Sequence, residues 1–419
     1  MRERNVDCVV IGGGPAGMAA AIELKKQGIE DVLLIERDVA LGGILQQCIH
    51  DGFGVQRFGV RLSGGQYAQR FIDELEAVGV EYLLNTTVIE MTANKELYTI
   101  SEADGMQCLR CKSIILAMGC RERTRNQVFV SGTRPAGVLT AGAVQRYINM
   151  EGYLPGKRAV ILGSGDIGLI MARRMVFEDI EVEGVYELKA SPGGLTRNIV
   201  QCLDDYQIPL HLSTTVVRVH GQRRLEGVTV AKVDENYRPI PGTERYIPCD
   251  LLVLSVGLIP ENELSQQAEI EIDRITQGPT IDESYMTSLP GVFAAGNVCA
   301  VFDLVDYVSK TAEYAARGAA AYLKGQLDMN SEYVPVEAGD NVFYVIPQRV
   351  RKEAKNFTLP LYMRVTRPME KASLMVNRGE AQLSKKRKNF VAPPEMLEVE
   401  VKVQELGEGE GYSVGLEEL

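Results

Sequence analysis

Val6-Asp7-Cys8-Val9-Val10-Ile11-Gly12-Gly13-Gly14-Pro15-Ala16-Gly17 is an apolar run that breaks into a glycine turn and then a helical stretch, Met18 to Gln27. A second apolar run, Val32 to Ile35, follows and ends in Glu36. Strand, glycine turn, helix, strand and acid in this order make a dinucleotide-binding βαβ unit. Gly12 makes the turn, Gly14 lets the backbone approach a pyrophosphate, and Gly17 lets helix and strand pack closely. Pro15 and Ala16 complete the turn, and the helix start offers N–H groups and a positive dipole end to phosphates. Glu36 is expected to accept hydrogen bonds from a ribose hydroxyl, with Arg37 beside it.

The pattern occurs twice. Ala159-Val160-Ile161-Leu162 turns through Gly163-Ser164-Gly165-Asp166-Ile167-Gly168, runs as a helix to about Glu178, and closes with Val182 to Glu187. The interval from first glycine to terminal acid is the same in both copies. Gly163, Gly165, Asp166, Gly168 and Glu187 are therefore candidate binding residues for a second nucleotide. A carboxylate at 187 favours NAD(H) over NADP(H), because it would sit against a 2′-phosphate, although Lys189 and Arg197 lie nearby.

Working outward, 419 residues suggest about three domains, and 45% hydrophobic with 24% charged residues is a globular composition. A formal net charge of −11 excludes the electrostatic footprint of a nucleic-acid binder. The cysteines are sparse and irregularly spaced, which argues against a disulfide framework and for a reducing, cytoplasmic setting. Met1 to Ile22 has the charge order of a signal peptide, but Gly12-Gly13-Gly14-Pro15 interrupts its apolar part. The longest uncharged run, Ser284 to Phe302, contains Pro290, Gly291, Gly296 and Asn297, so no transmembrane segment is expected.

Past residue 330 the pattern changes. Val342 to Ile346, Leu359 to Val365, Ala372 to Val376 and Leu397 to Val403 read as short strands, implying a small all-β, sandwich-like domain. Lys385-Lys386-Arg387-Lys388 reads as a solvated strand edge or a docking patch. Gly407 to Gly411 reads as a frayed tail.

Further motifs carry a resemblance. Gly42-Gly43 follows Glu36. Ile114 to Gly119 is a strand ending Ala117-Met118-Gly119, and Leu251 to Leu254 leads into Ser255-Val256-Gly257. Gly291-Val292-Phe293-Ala294-Ala295-Gly296-Asn297 completes the set. With the two fingerprints, these residues resemble the two-dinucleotide flavoproteins, the pyridine nucleotide-disulfide oxidoreductases. The resemblance implies FAD at Gly12, Gly14, Pro15, Ala16, Gly17, Glu36, Arg37, Gly42, Gly43, Ala117, Gly119, Gly296 and Asn297. It implies a nicotinamide nucleotide at the second fingerprint and Gly257. Asn297 stands where the family motif ends in aspartate.

The implied architecture is α/β, with two Rossmann-like domains, the NAD(P) domain inserted in the FAD domain, and the β domain appended. The expected boundaries are 1–130 and 262–330 for FAD, 131–261 for NAD(P), and 331–419 for the β domain. Thr133-Arg134-Pro135-Ala136-Gly137-Val138, Gly42 to His50, and Asp303 to Tyr307 further resemble the FAD/NAD-binding alpha subunits of sarcosine, opine, proline and cyanide-forming glycine oxidoreductases. They also resemble the flavoproteins that accompany anaerobic glycerol-3-phosphate dehydrogenase. This implies a second dehydrogenase subunit or small accessory protein as partner, and it is compatible with a homo-oligomer. No cysteine follows Cys299, so an iron–sulfur cluster of the kind some relatives carry is not expected, nor is any metal site.

Cys48 and His50 follow the glycine pair where related folds approach the flavin, and they are the candidate catalytic residues. A thiolate at 48 would make a stand-alone NADH oxidase, peroxidase or disulfide reductase. The competing reading is that both line the flavin pocket or meet a partner. Ile170 stands where the cysteine enzymes usually carry a glutamate, which favours that competitor. Cys108-Leu109-Arg110-Cys111 is read as incidental. Asp303 and Asp306 are expected just ahead of a helix, about Ser309 to Leu323, whose dipole would face the flavin. The expected function is hydride transfer between nicotinamide and FAD within a multi-subunit dehydrogenase of glycerol 3-phosphate or amine/amino-acid type. The alternatives are the stand-alone enzyme and a scaffold subunit with a structural flavin.

Overall fold

The computed structural model describes residues 2–352, 357–403 and 411–419. The chain divides into two compact units, Met1–Cys120 with Pro260–Leu419, and Arg121–Ile259. In the first, a sheet runs in the order Glu81–Leu83, Val32–Ile35, Arg2–Ile11, Gly105–Leu116, Glu96–Ser101, Thr86–Met91. The first four strands are parallel, and Val292–Ala294 pairs in parallel with the end of Gly105–Leu116. Helices cover such strands on both faces, so Val32–Ile35 is buried throughout and reads as a continuous apolar run.

The register matters most. Ile11 lies beside both Ile35 and Leu116, and Ala294 lies beside Leu116, so four parallel strands end in one row. Two helices, Pro15–Lys26 and Val305–Leu323, pack together in this unit. Their buried alanines, including Ala19, Ala20, Ala312, Ala315 and Ala316, allow close approach. Arg317 donates to Glu23 at 2.7 Å across them. The second of these helices begins at Val305, earlier than the sequence pattern indicates, so Asp306 sits in its first turn.

The second unit holds a parallel five-stranded sheet ordered Val138–Thr140, Leu251–Leu254, Arg158–Leu162, Glu181–Tyr186, Leu210–His211. Beside it is a four-stranded sheet of Ser131–Gly132, Thr214–His220, Gly227–Lys232 and Arg245–Pro248. The parallel sheet packs helices into one apolar core and shares a second core with the four-stranded sheet, through Val160, Leu162, Leu252 and Leu254 against Val216, Val228 and Val230.

The C-terminal segment is all β, as its sequence indicates. One sheet runs Arg349–Arg351, Tyr333–Ala338, Tyr412–Glu418, Met369–Arg378, Ala381–Val391, and the other Val342–Ile346, Phe357–Val365, Leu397–Val403. The two share one core. The basic run lies on the exposed edge strand Ala381–Val391. Apart from Gly411, the tail read as frayed lies outside the described residues. This β segment is not a loosely tethered module. Its Tyr344, Ile346, Tyr362 and Met396 belong to the core of the parallel sheet's own unit.

Candidate functional site

Every residue assigned to the first nucleotide from sequence follows one of the aligned strand ends or packs against a residue that does. Gly12 follows Ile11, Glu36 follows Ile35, Ala117-Met118-Gly119 follow Leu116, and Ala295-Gly296-Asn297 follow Ala294. In open α/β sheets ligands bind at this carboxyl edge. Gly12 has φ +107°, and a Cβ there would meet the Ala117 carbonyl oxygen at 2.5 Å. A Cβ on Gly17 would meet the Gly12 carbonyl oxygen at 1.7 Å, so helix and turn touch backbone to backbone. Around Gly14 a Cβ would meet nothing within 4 Å. The middle glycine therefore faces open space while its neighbours are closed in, which suits a group bound against the backbone.

The helix start agrees. Gly14 caps Pro15–Lys26 without any side-chain hydrogen bond, and the first turn holds no acid. By contrast, Gly64–Ala77 has a capping box from Ser63 and Gln66, and Ala141–Asn149 is capped by Thr140. An uncapped N-terminus on a buried helix leaves its N–H groups and dipole for an anion. Glu36 is buried; it accepts from Gly13 N at 2.6 Å and Asp38 N at 2.8 Å, which holds its carboxylate at the strand edge. Gly42 N donates to the Gly13 carbonyl at 2.8 Å, and a Cβ on Gly43 would sit 3.1 Å from Gly14 Cα. Arg37 is exposed and lies 3.5 Å from Glu261. Turn, acid and glycine pair thus form one structure, and the residues present fit FAD.

Cys48 and His50 lie just beyond. Cys48 is buried, packed on Gly64, with its Sγ 3.3 Å from the Ile44 carbonyl. Burial pushes its thiol up to about 12. His50 is half-buried, its ring 5.1 Å from Phe53. Cys108 and Cys111 are buried on one strand at an odd spacing, which places their side chains on opposite faces. Among the described residues no group of His, Cys, Asp and Glu could hold a metal ion.

The second fingerprint is built on the same plan with different closures. Leu162 lies beside Tyr186 and Leu254, so Gly163, Glu187 and Ser255 follow a common strand edge. Gly163 has φ +92°, and its Cβ would meet the Ser255 carbonyl oxygen at 2.1 Å. Glu187 is buried and accepts from Ser164 N at 2.9 Å, Ser164 Oγ at 2.6 Å and Lys189 N at 2.9 Å. Asp166 accepts from Leu195 N at 2.8 Å and Asn198 Nδ2 at 2.6 Å, so it anchors the following loop. Gly257 has φ +101°.

Sequence reasoning misses several supports. Ser164 Oγ accepts from Gly193 N at 2.7 Å while donating to Glu187; only its place inside the fingerprint hints at this. Ser255 Oγ accepts from Gly168 N at 3.1 Å. Asp306 accepts from Arg57 N at 2.8 Å, and the Arg57 guanidinium bonds Glu313 at 2.6 Å. These fasten the segment after Cys48 to the Val305–Leu323 helix, and no local pattern announces them.

Comparison with known proteins agrees with this geometry. The family model described as "Pyridine nucleotide-disulphide oxidoreductase" matches residues 6–319. Hydrogen cyanide synthase subunit HcnB of Pseudomonas aeruginosa is 30% identical over 289 residues, covering 64% of this chain and 60% of that protein. One subunit of the opine oxidase of Agrobacterium tumefaciens is 25% identical, covering 70% and 61%. The chain thus spans about three fifths of the length of these relatives. The crystal structure of Lactococcus lactis thioredoxin reductase shares the fold, with a TM-score of 0.61 at 21% identity over 76% of this chain and 99% of that one. Among the described residues, no helix is long and apolar enough to cross a membrane. The chain belongs to the pyridine nucleotide-disulphide oxidoreductase family, an FAD/NAD(P)-binding family of oxidoreductases.

Proposed function

We propose that this member of the family is the flavin- and nicotinamide-binding component of a multi-subunit cytoplasmic dehydrogenase. It would pass hydride between NAD(H) and FAD while a partner handles a glycerol 3-phosphate or amine/amino-acid substrate. The observation that carries the flavin assignment is the uncapped helix start beside the open Gly14, at the row of strand ends. Similarity to one component of hydrogen cyanide synthase and to one of opine oxidase supports the multi-subunit reading.

Bound FAD would supply a hydride acceptor and donor; the chain's own residues bind, orient and shield. The turn from Gly12 to Gly17 and the dipole of Pro15–Lys26 would hold the pyrophosphate. Glu36 would hold a ribose, Gly42 and Gly43 keep the turn tight, and Asn297 offers its amide at the opposite strand end. In the second unit Glu187 would receive the adenosine ribose of NAD(H) and repel a 2′-phosphate. Anaerobic titration tests both assignments. NADH is expected to bleach the flavin absorbance, and NADPH to do so at least about tenfold less effectively, the factor that roughly 1.4 kcal/mol provides. A flavin that neither nucleotide bleaches would leave only the scaffold reading.

The stand-alone thiol enzyme is disfavoured by Cys48 itself. Burial raises the Cys48 thiol well above the ordinary thiol range and so disfavours the thiolate, which is the nucleophile. Cys48→Ser is therefore expected to change NADH turnover with an artificial acceptor by less than about twofold. Loss of nearly all turnover would restore the thiol mechanism.

A further inference from the structure

One side chain of the β segment bonds the backbone next to the proposed flavin site. Arg364, on the strand Phe357–Val365, sends Nη2 to the Val301 carbonyl at 3.0 Å and Nη1 to the Pro393 carbonyl at 2.9 Å. Nη1 also bonds the Pro394 carbonyl, and Nε lies 3.2 Å from the Tyr344 hydroxyl. A planar guanidinium with five fixed donors can bind several carbonyls at once, which a lysine cannot reproduce. Val301 belongs to the short connection between the Gly296–Val298 turn and the Val305–Leu323 helix.

The β segment holds that connection and the helix start it leads into at three further points. The Phe302 ring meets Tyr362 edge-on with centroids 5.5 Å apart. Tyr307 meets the same ring at 5.5 Å, and Met396 N lies 3.3 Å from Asp303 Oδ1. What the connection controls is Asn297. Phe302 N donates to Asn297 Oδ1 at 3.0 Å, and Asn297 Nδ2 lies 3.6 Å from Cys120 Sγ. Phe302 N and Cys120 Sγ together fix which way the Asn297 amide faces, leaving it one N–H to donate and one oxygen lone pair to accept with. Toward a ribitol hydroxyl it can therefore donate as well as accept, where an aspartate could only accept.

We infer that Arg364 is a positioning residue for the flavin: it holds Val301–Phe302, and Phe302 N in turn fixes which way the Asn297 amide faces. The inference rests on the FAD assignment above and assigns the β segment a part in the cofactor site. Its test is a double-mutant cycle on FAD affinity. Flavin-free wild type, Arg364→Met, Asn297→Ala and the double variant are titrated with FAD, followed by flavin fluorescence.

Each single change is expected to weaken FAD by about tenfold, the loss of one good hydrogen bond. Arg364→Met in the Asn297→Ala background should cost less than about twofold more, because its effect travels through the missing amide. Arg364→Lys, which keeps the charge and stem, covers the case of a poorly folding methionine variant and should give a smaller loss. Unchanged affinity in Arg364→Met, or in Arg364→Lys where that variant stands in, would overturn the inference. So would an equal loss with and without Asn297, which is what a merely looser β segment would produce. Wild type that fails to bind FAD would overturn the flavin assignment as well, and so is distinguishable from either result.

Discussion

Gly17→Ala lowers the stability of the flavin-free protein by about 3 kcal/mol or more, the upper range for forcing an atom into a packed interior. Gly14→Ala leaves that stability within about 0.5 kcal/mol of wild type. The two positions lie three residues apart in one glycine turn, and they separate because they are closed and open respectively. The new methyl at 17 would lie 1.7 Å from the Gly12 carbonyl oxygen, well inside any non-bonded distance. Gly12 cannot yield, because its own N–H donates to the Ile35 carbonyl at 2.8 Å and its other side abuts Ala117. The helix must move off the sheet, and its buried face runs from Ala16 to Leu24. At 14 the backbone is extended, with φ −76° and ψ −172°, which any residue adopts. Its methyl meets nothing, except what binds there. FAD affinity of Gly14→Ala is accordingly expected to fall by about a hundredfold or more, the equivalent of roughly 2.7 kcal/mol. Thermal unfolding of the flavin-free proteins and fluorescence titration with FAD check the pair. A Gly14→Ala protein that binds FAD like wild type would remove the flavin assignment from this turn.

What the sequence makes legible is what the backbone decides locally. Both fingerprints are short runs in which glycine is required by a positive φ or a backbone contact, so Gly12, Gly17 and Gly163 announce their geometry without neighbours. The acids at 36 and 187 are found by counting, because strand length fixes their place. Contacts that join distant segments leave no such trace. Arg57, Arg351 and Arg364 are single arginines in unremarkable surroundings, and only the fold gives them partners far along the chain. The true start of the Val305–Leu323 helix is hidden for a related reason. Asp303 and Asp306 look like residues that precede a helix, yet Leu304 holds the cap position and Asp306 is used by Arg57. The strand Ala381–Val391 is legible only through its basic run, which reads as a solvated strand edge; its bounds are hidden because it is an edge. Nearly every side chain on it is exposed, so the alternation that marks a half-buried strand is absent. Tyr333–Ala338 and Tyr412–Glu418 are further strands that the sequence pattern does not single out, although Tyr412–Glu418 does alternate at its start.

Replacing Arg351 by methionine is expected to destabilise the first unit by about 3–5 kcal/mol, and to do so in a pH-dependent way. Arg351 lies 2.7 Å from Asp282 and 2.6 Å from Glu283, and these side chains are 5%, 0% and 8% exposed. Asp282 also accepts from Ser284 N at 2.8 Å and Met286 N at 3.0 Å, and Tyr333 donates to it at 3.2 Å. The cation thus joins a β-segment strand to two adjacent carboxyls of the parallel-sheet unit. Without it both carboxyls are buried and uncompensated, which is far more costly than never having buried a charge. Burial, and then the neighbouring Glu283, already raise the Asp282 carboxyl to about 7 in the intact protein. A carboxyl raised on folding contributes stability that is full below its unfolded value and lost as pH rises through its folded value. Removing the guanidinium raises it further, so the variant's deficit is greatest near pH 8 and shrinks as pH approaches 5. Thermal unfolding of wild type and variant at both pH values measures this, and an equal deficit at the two would refute it. The remedy is as informative as the lesion. Adding Asp282→Asn and Glu283→Gln to Arg351→Met removes the stranded charge while keeping shape, and is expected to recover most of the stability near pH 8. If the triple variant stays as weak as the single one, the deficit comes from lost packing around the arginine stem and not from uncompensated carboxylates.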